Sequence, residues 1–264
     1  MIDERGIRLQ EESSKLERFF MPYELNDTIN IFVHGFSNGK KEDQNKIIDD
    51  LISSKLSDTS YLYRWPSGSL GQALKRGAKR GAIAGRGRPK RTVILAAGGA
   101  IIESVSHFTK KRKLAEAYSK DLYRRVSRKK NIRSYKINLI GHSLGSFIIV
   151  NSLKHSFNGW SGMKINNVVL MGGAVDYEDY AGEWADIVSL AQGRFFNVWC
   201  PEDFALTGDA FTRGSLKKRI GQSKIPSKIK KVHNISMGSG WQHEDYWPQY
   251  LKVYKKTIAR YNIT

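Results

Sequence analysis

Cysteine is nearly absent. Cys200 is the only one in 264 residues, so no disulfide can close within the chain and nothing in the composition points to an oxidising compartment. Acidic residues are scarce as well: 25 Asp and Glu stand against 44 Lys and Arg, a formal charge of +19. Unpaired charges are too costly to bury, so this excess must lie on the surface, where it attracts polyanions. Nucleic acid, an anionic membrane and an acidic protein all qualify, and a charge count does not rank them. Long apolar runs are also lacking. The longest, Thr92 to Phe108, is interrupted by Glu103 and is short for a bilayer, which suits a buried or interfacial helix. The opening MIDERGIRLQEESSKLERFF places acids and bases where a secretory signal needs an apolar core, and a cytoplasmic protein is expected. No His, Cys, Asp and Glu cluster has zinc-site spacing, and neither a metal nor another cofactor is expected.

What is present is an alternation of strands and helices. Thr28–Val33 (TINIFV), Ser60–Trp65, Lys136–Ile140 (KINLI), Asn166–Met171, Arg194–Trp199 and a last strand around KVHNIS are β-branched or apolar runs bounded by turn residues. Between them, Lys41–Ser54 spaces Ile47, Ile48, Leu51 and Ile52 as one helix face. A basic helix over Lys110–Lys130 carries Leu114, Ala117, Tyr118, Leu122 and Val126 as its inner stripe, and a further helix runs from about Ser143 to Phe157. This alternation predicts a mainly parallel sheet flanked by helices, in a single α/β domain spanning residues 1–264. A basic helical or lid-like insertion, residues 70–130, precedes the Lys136 strand. It includes the Gly- and Arg-rich stretch QALKRGAKRGAIAGRGRPKR. There is no internal repeat and no linker that divides the chain.

The chemistry is concentrated at Gly141-His142-Ser143-Leu144-Gly145, which follows a strand and opens an apolar helix, SFIIV. This is the order of a nucleophile elbow: the serine sits on a sharp, strained turn, and the flanking glycines remove side chains that would strike the neighbouring strand and helix. Ser143 is thereby presented at a helix N-terminus, where the partial positive charge favours a developing oxyanion. His142 flanks the serine, but the backbone does not aim its side chain at Ser143. Val33-His34-Gly35-Phe36 follows an early strand, where this fold supplies one oxyanion-hole N–H; the other comes from the residue after the nucleophile, so the backbone amides of Phe36 and Leu144 are the candidates. His34 suits a structural part in that loop better than the part of a base.

The segments VHGF, GHSLGS, VWCPEDFAL and GSGWQHEDYW together resemble the α/β-hydrolase superfamily. More narrowly, they are similar to an uncharacterised hydrolase family that includes transmembrane and coiled-coil domain proteins. The resemblance covers Asn30 to Tyr254. It implies an α/β-hydrolase fold and a triad in the order Ser, acid, His, with the acid on a loop after a late strand and the His nearer the C-terminus. Asp203, on the loop Cys200-Pro201-Glu202-Asp203, is the expected acid, with Glu202 its close alternative and Asp209 and Asp176 less well placed. His243, in a Gly-rich loop before the last helix, is the expected base. His233 fits a partly buried strand position, and His107 and His155 fall on helices outside the order.

The function expected is that of a serine esterase or lipase, acting on an acyl ester or lipid through an acyl-enzyme. The lipid part rests on Val93–Phe108 flanked by RGRPKR and KKRK, which suits peripheral contact with an anionic membrane. Nucleic acid ranks lower, because Phe108, Tyr118 and Tyr123 are few aromatics for base stacking. Two alternatives stay open: a non-catalytic hydrolase-fold protein that binds a partner through its basic surface, and a serine hydrolase of peptides or thioesters. The oligomeric state is not legible.

Overall fold

The computed structural model describes residues 14–261 except 24–25, 37–40, 55, 68–111, 204, 207–218 and 227–228. The N-terminal stretch, the insertion as far as residue 111 with its apolar run and His107, and Asp209 lie outside the described residues.

The described elements are β1 (Lys15–Phe20), β2 (Thr28–Val33), α1 (Lys41–Ser53), β3 (Thr59–Arg64), α2 (112–127), β4 (Lys136–His142), α3 (Leu144–His155), α4 (Phe157–Ser161), β5 (Lys164–Met171), α5 (Trp184–Ser189), β6 (Phe195–Trp199), β7 (Val232–Ser236), α6 (Tyr250–Lys256) and α7 (Ile258–Tyr261). The strands form one seven-stranded sheet in the order β1-β3-β2-β4-β5-β6-β7. Every pairing is parallel except β1 with β3. Each central strand is buried on both faces, which is why β4 shows no alternation of buried and exposed positions after Lys136. Ile29, Ile31, Val33, Ile137 and Leu139 face a core formed with α2, α3, Trp160 and Trp184. Phe32, Ile140, Val169 and Met171 face a second core formed with α1, α6 and Ile258. Helices cover both faces of a mainly parallel sheet, and the turn bearing Ser143 sits at the C-terminal end of β4: this is the α/β-hydrolase fold.

Three local features depart from the sequence pattern. The polar start holds a strand: β1 buries little beyond Leu16, and it is held by an antiparallel ladder to β3 and by Arg64 Nε against Glu17 Oε2 at 2.9 Å. On α2 the inward stripe is Ala115, Tyr118, Leu122 and Val126, with Leu114 packed at its margin and Ala117 only partly buried. On α1 the stripe is Gln44, Ile47 and Leu51, whereas Ile52 is exposed.

Buried asparagines set the register at the centre of the sheet. Asn138 Nδ2 donates to Asn30 Oδ1 at 2.9 Å, and Asn138 Oδ1 accepts from the Asn167 side chain at 3.0 Å and its backbone N–H at 3.2 Å. These bonds span the irregularity between Ile137 and Leu139 where β4 meets β5. They satisfy polar groups that would otherwise be costly at this depth. Among the described residues no helix is long and apolar enough to cross a membrane.

Candidate active site

Ser143 lies between the end of β4 and the start of α3 with φ 55° and ψ −121°. A non-glycine residue rarely adopts this backbone, and the surrounding bonds enforce it. Ser143 N–H donates to the Met171 carbonyl at 3.0 Å, its own carbonyl accepts from Ser146 at 3.1 Å and Ala174 at 3.2 Å, and Ser146 Oγ donates to the Gly141 carbonyl at 2.9 Å. The two elbow glycines are required by space. A Cβ on Gly145 would stand 2.0 Å from the Val33 carbonyl oxygen, and one on Gly141 would stand 2.8 Å from Ser146 N.

The loop after β2 crosses directly over this turn. A Cβ on Gly35 would lie 2.7 Å from Ser143 Cβ and 3.3 Å from Ser143 Oγ, so only glycine lets the backbone pass. Phe36 follows at once and packs against the core, and Leu144 is the first residue of α3, whose leading N–H groups have no intrahelical acceptor. His34 holds the loop from behind. Its Nδ1–H donates to the Gly35 carbonyl at 3.0 Å, its Nε2 accepts from Trp65 N–H at 3.3 Å, and the Gln44 amide approaches the same nitrogen at 3.3 Å. Trp65 stacks on its ring and returns a bond from Nε1 to the His34 carbonyl at 2.8 Å. Burial pushes His34 down to about 4, so its ring is neutral.

Asp203 and His243 meet across the site. Asp203 is 1% exposed and its Oδ2 lies 2.7 Å from His243 Nδ1, while its Oδ1 accepts from Leu206 N–H at 3.3 Å. A carboxylate only accepts, so the proton sits on Nδ1 and leaves the Nε2 lone pair as the basic one. The close approach depends on Gly172 at the end of β5. Its φ is +50°, and a Cβ there would stand 3.2 Å from Asp203 Oδ2, 3.4 Å from His243 Nδ1 and 2.8 Å from Tyr246. Composition and motif did not single out Gly172; the visible signal was only a pair of glycines after an apolar strand.

The other candidates are placed elsewhere. Glu202 is exposed and its carboxylate accepts from Gly240 N–H at 3.2 Å. Asp176 is buried against Arg219 Nη1 at 2.6 Å and Arg112 Nη2 at 3.4 Å, and Arg112 also lies over the Phe147 ring at 4.4 Å. His233 is on β7 beside Arg194 at 3.1 Å, and His155 is exposed at the end of α3. His142 is buried with its ring 4.5 Å from that of His243. Ser143 Oγ makes no hydrogen bond with a described residue; such bonds often tighten only when substrate enters. Among the described residues no group of three His, Cys, Asp or Glu side chains is arranged to hold a metal.

A buried carboxylate on an imidazole, a serine on a strained turn and a glycine backbone passing over it together form an arrangement able to generate a nucleophile and receive a developing oxyanion. No curated protein matches the chain. Among solved structures, a lipase-esterase related protein from Clostridium acetobutylicum is 11% identical over 93% of this chain and 99% of its own, with a TM-score of 0.50, which speaks for the fold. The Francisella virulence factor BioJ (12% identity, 95% and 82% coverage, TM-score 0.48) and an alpha-beta serine hydrolase homologue from Coxiella burnetii (14%, 95% and 91%, 0.42) are more distant in shape. Residues 93–258, which include Ser143, Asp203 and His243, match the model of the family described as "Protein of unknown function (DUF726)", and the chain belongs to that family.

Proposed function

We propose that this protein is a serine hydrolase that cleaves an acyl ester through an acyl-enzyme. The observation that carries the reading is the 2.7 Å contact between His243 Nδ1 and Asp203 beside a serine held at φ 55°. His243 Nε2 takes the Ser143 proton as Oγ attacks the carbonyl carbon. The Phe36 and Leu144 amides stabilise the oxyanion, and the imidazolium returns the proton to the leaving alcohol. Water, activated by the same imidazole, then hydrolyses the acyl-enzyme and releases the acid. The ester class is supported by the triad of Ser143, Asp203 and His243.

The test is labelling by a fluorophosphonate probe. The wild type is expected to label, and Ser143→Ala and His243→Ala to lose labelling while keeping the wild-type melting temperature. A folded wild type that does not label favours the binding-protein reading instead. A lipid substrate is supported by the family resemblance and by charge: Lys113 and Lys120 are exposed on α2, and the more basic residues before it belong to the same insertion. Binding to phosphatidylglycerol vesicles that weakens as salt rises would support it, and equal binding to phosphatidylcholine would remove it.

A further inference from the structure

His142 is the last residue of β4 and is bonded directly to Ser143, yet the acyl-transfer steps do not use its side chain. It is 5% exposed, and neither ring nitrogen makes a hydrogen bond of good geometry with a described residue; the backbone of His243 gives a weaker contact. Burial, and then the neighbouring His243, hold its pKa well below the ordinary histidine value, so the ring is neutral. A buried polar ring so weakly partnered is costly, a cost that an apolar side chain of similar volume would not incur. Its ring contacts show what occupies the space around it.

Three rings close on His142, and all come from one stretch of chain. His243 lies at 4.5 Å, Tyr246 at 5.3 Å and Trp247 at 5.6 Å between ring centroids. They stand at positions i, i+3 and i+4 of the single turn His243–Tyr246 and its continuation, so one face of that turn meets this ring, while Trp247 also meets Phe32 and Tyr246 also meets Trp241. The chain entering the turn is held from the loop after β6, where Cys200 Sγ–H donates to the Gly238 and Trp241 carbonyls, each at 3.3 Å. Residues 238–240 are exposed, and Gly238 and Gly240 have φ +86° and +80° with nothing within 4 Å of an added Cβ. Side-chain hydrogen bonds on the turn include the reciprocal bonds between Gln242 and Asp245, the Glu202 to Gly240 bond, and Asp203 on His243. The first is internal to the turn, and the other two lead to the loop after β6. None of these bonds leads to the strand that carries Ser143; Tyr246 and Trp247 share the second core with Ile140 of that strand, and His142 is the residue of the strand bonded to Ser143 itself.

We infer that His142 is a positioning residue: its ring is the platform on which the His243 turn rests, and it sets the placement of the His243 imidazole relative to Ser143. This rests on the serine-hydrolase reading. A flat π-face suits the task, because His243 becomes cationic during acyl transfer and a neighbouring ring face accommodates that charge, whereas a charged neighbour would oppose it.

The test compares His142→Ala with His142→Phe, which restores a flat ring without nitrogens. A misplacement of about 1 Å in a catalytic group costs on the order of 100-fold. His142→Ala should therefore lower the fluorophosphonate labelling rate and the kcat for p-nitrophenyl butyrate by about that factor, with KM within roughly twofold. His142→Phe should return both to within about fivefold of wild type. An Ala variant with wild-type rates overturns the inference, as does a folded Phe variant as slow as Ala. An unlabelled wild type instead overturns the hydrolase reading. The contact is then judged by imidazole NMR alone: loss of the single Nδ1-protonated form of His243 in Ala, restored in Phe, upholds the positioning role, and an unchanged spectrum overturns it.

Discussion

A carboxylate orients a histidine when it is shielded from water and held facing the ring, and the neighbours Asp203 and Glu202 differ in both respects. Asp203 is buried, and its two oxygens face His243 Nδ1 and Leu206 N–H. Glu202 is exposed and bonds the backbone of a glycine loop. Asp203→Asn retains the shape but can present a donor to Nδ1, favouring the wrong tautomer; turnover of an ester should fall by about 10³–10⁴-fold with little change in the unfolding midpoint. Glu202→Gln should cost less than about fivefold in the same assay. A reversed pattern would move the acid to Glu202. Sequence spacing alone left these two open, because both lie on the loop leaving β6 and only the backbone path decides which carboxylate turns inward.

At the scale of elements, the elbow works because three backbone segments pass at distances no side chain tolerates. Gly35, Gly141 and Gly145 each stand where a Cβ would come within 3.0 Å of a neighbour. Gly145 is the tightest, with α3 resting on the carbonyl end of β2. Gly145→Ala should therefore lower the urea unfolding free energy by more than about 2 kcal/mol and slow labelling of Ser143. Gly162→Ala, at φ −82° with its nearest neighbour at 3.6 Å, should stay within about 0.5 kcal/mol of wild type. Equal effects would mean that the β2 and α3 crossing can relax. The elbow glycines were legible from the motif. Gly172 was not, because its constraint comes from Asp203, His243 and Tyr246, which are distant in the chain.

The whole molecule carries the cost of keeping histidines neutral inside it. Burial depresses His34 to about 4 from an ordinary 6.5, and His142 moves the same way. Below about pH 6.5 the unfolded chain takes up protons that the folded one refuses, so this stability is complete above that value and is lost as pH falls toward about 4. The shift of His34 is worth about 3 kcal/mol over that window. Urea unfolding should show stability falling between about pH 7 and about pH 5, with a shallower fall in His142→Phe; a flat profile would show that these rings are hydrated. The amino-acid sequence by itself determined the parallel α/β plan, the elbow at Ser143 and the glycine loop at Gly35, because strand periodicity and steric needs are local. It did not reveal β1, whose stability comes from a ladder to β3 rather than from its own pattern, nor the asparagines that lock β4 between β2 and β5. Only the tertiary structure decided that Asp203 rather than Glu202 faces His243, and that His142 lies against the His243 turn, since both depend on where separate strand ends converge.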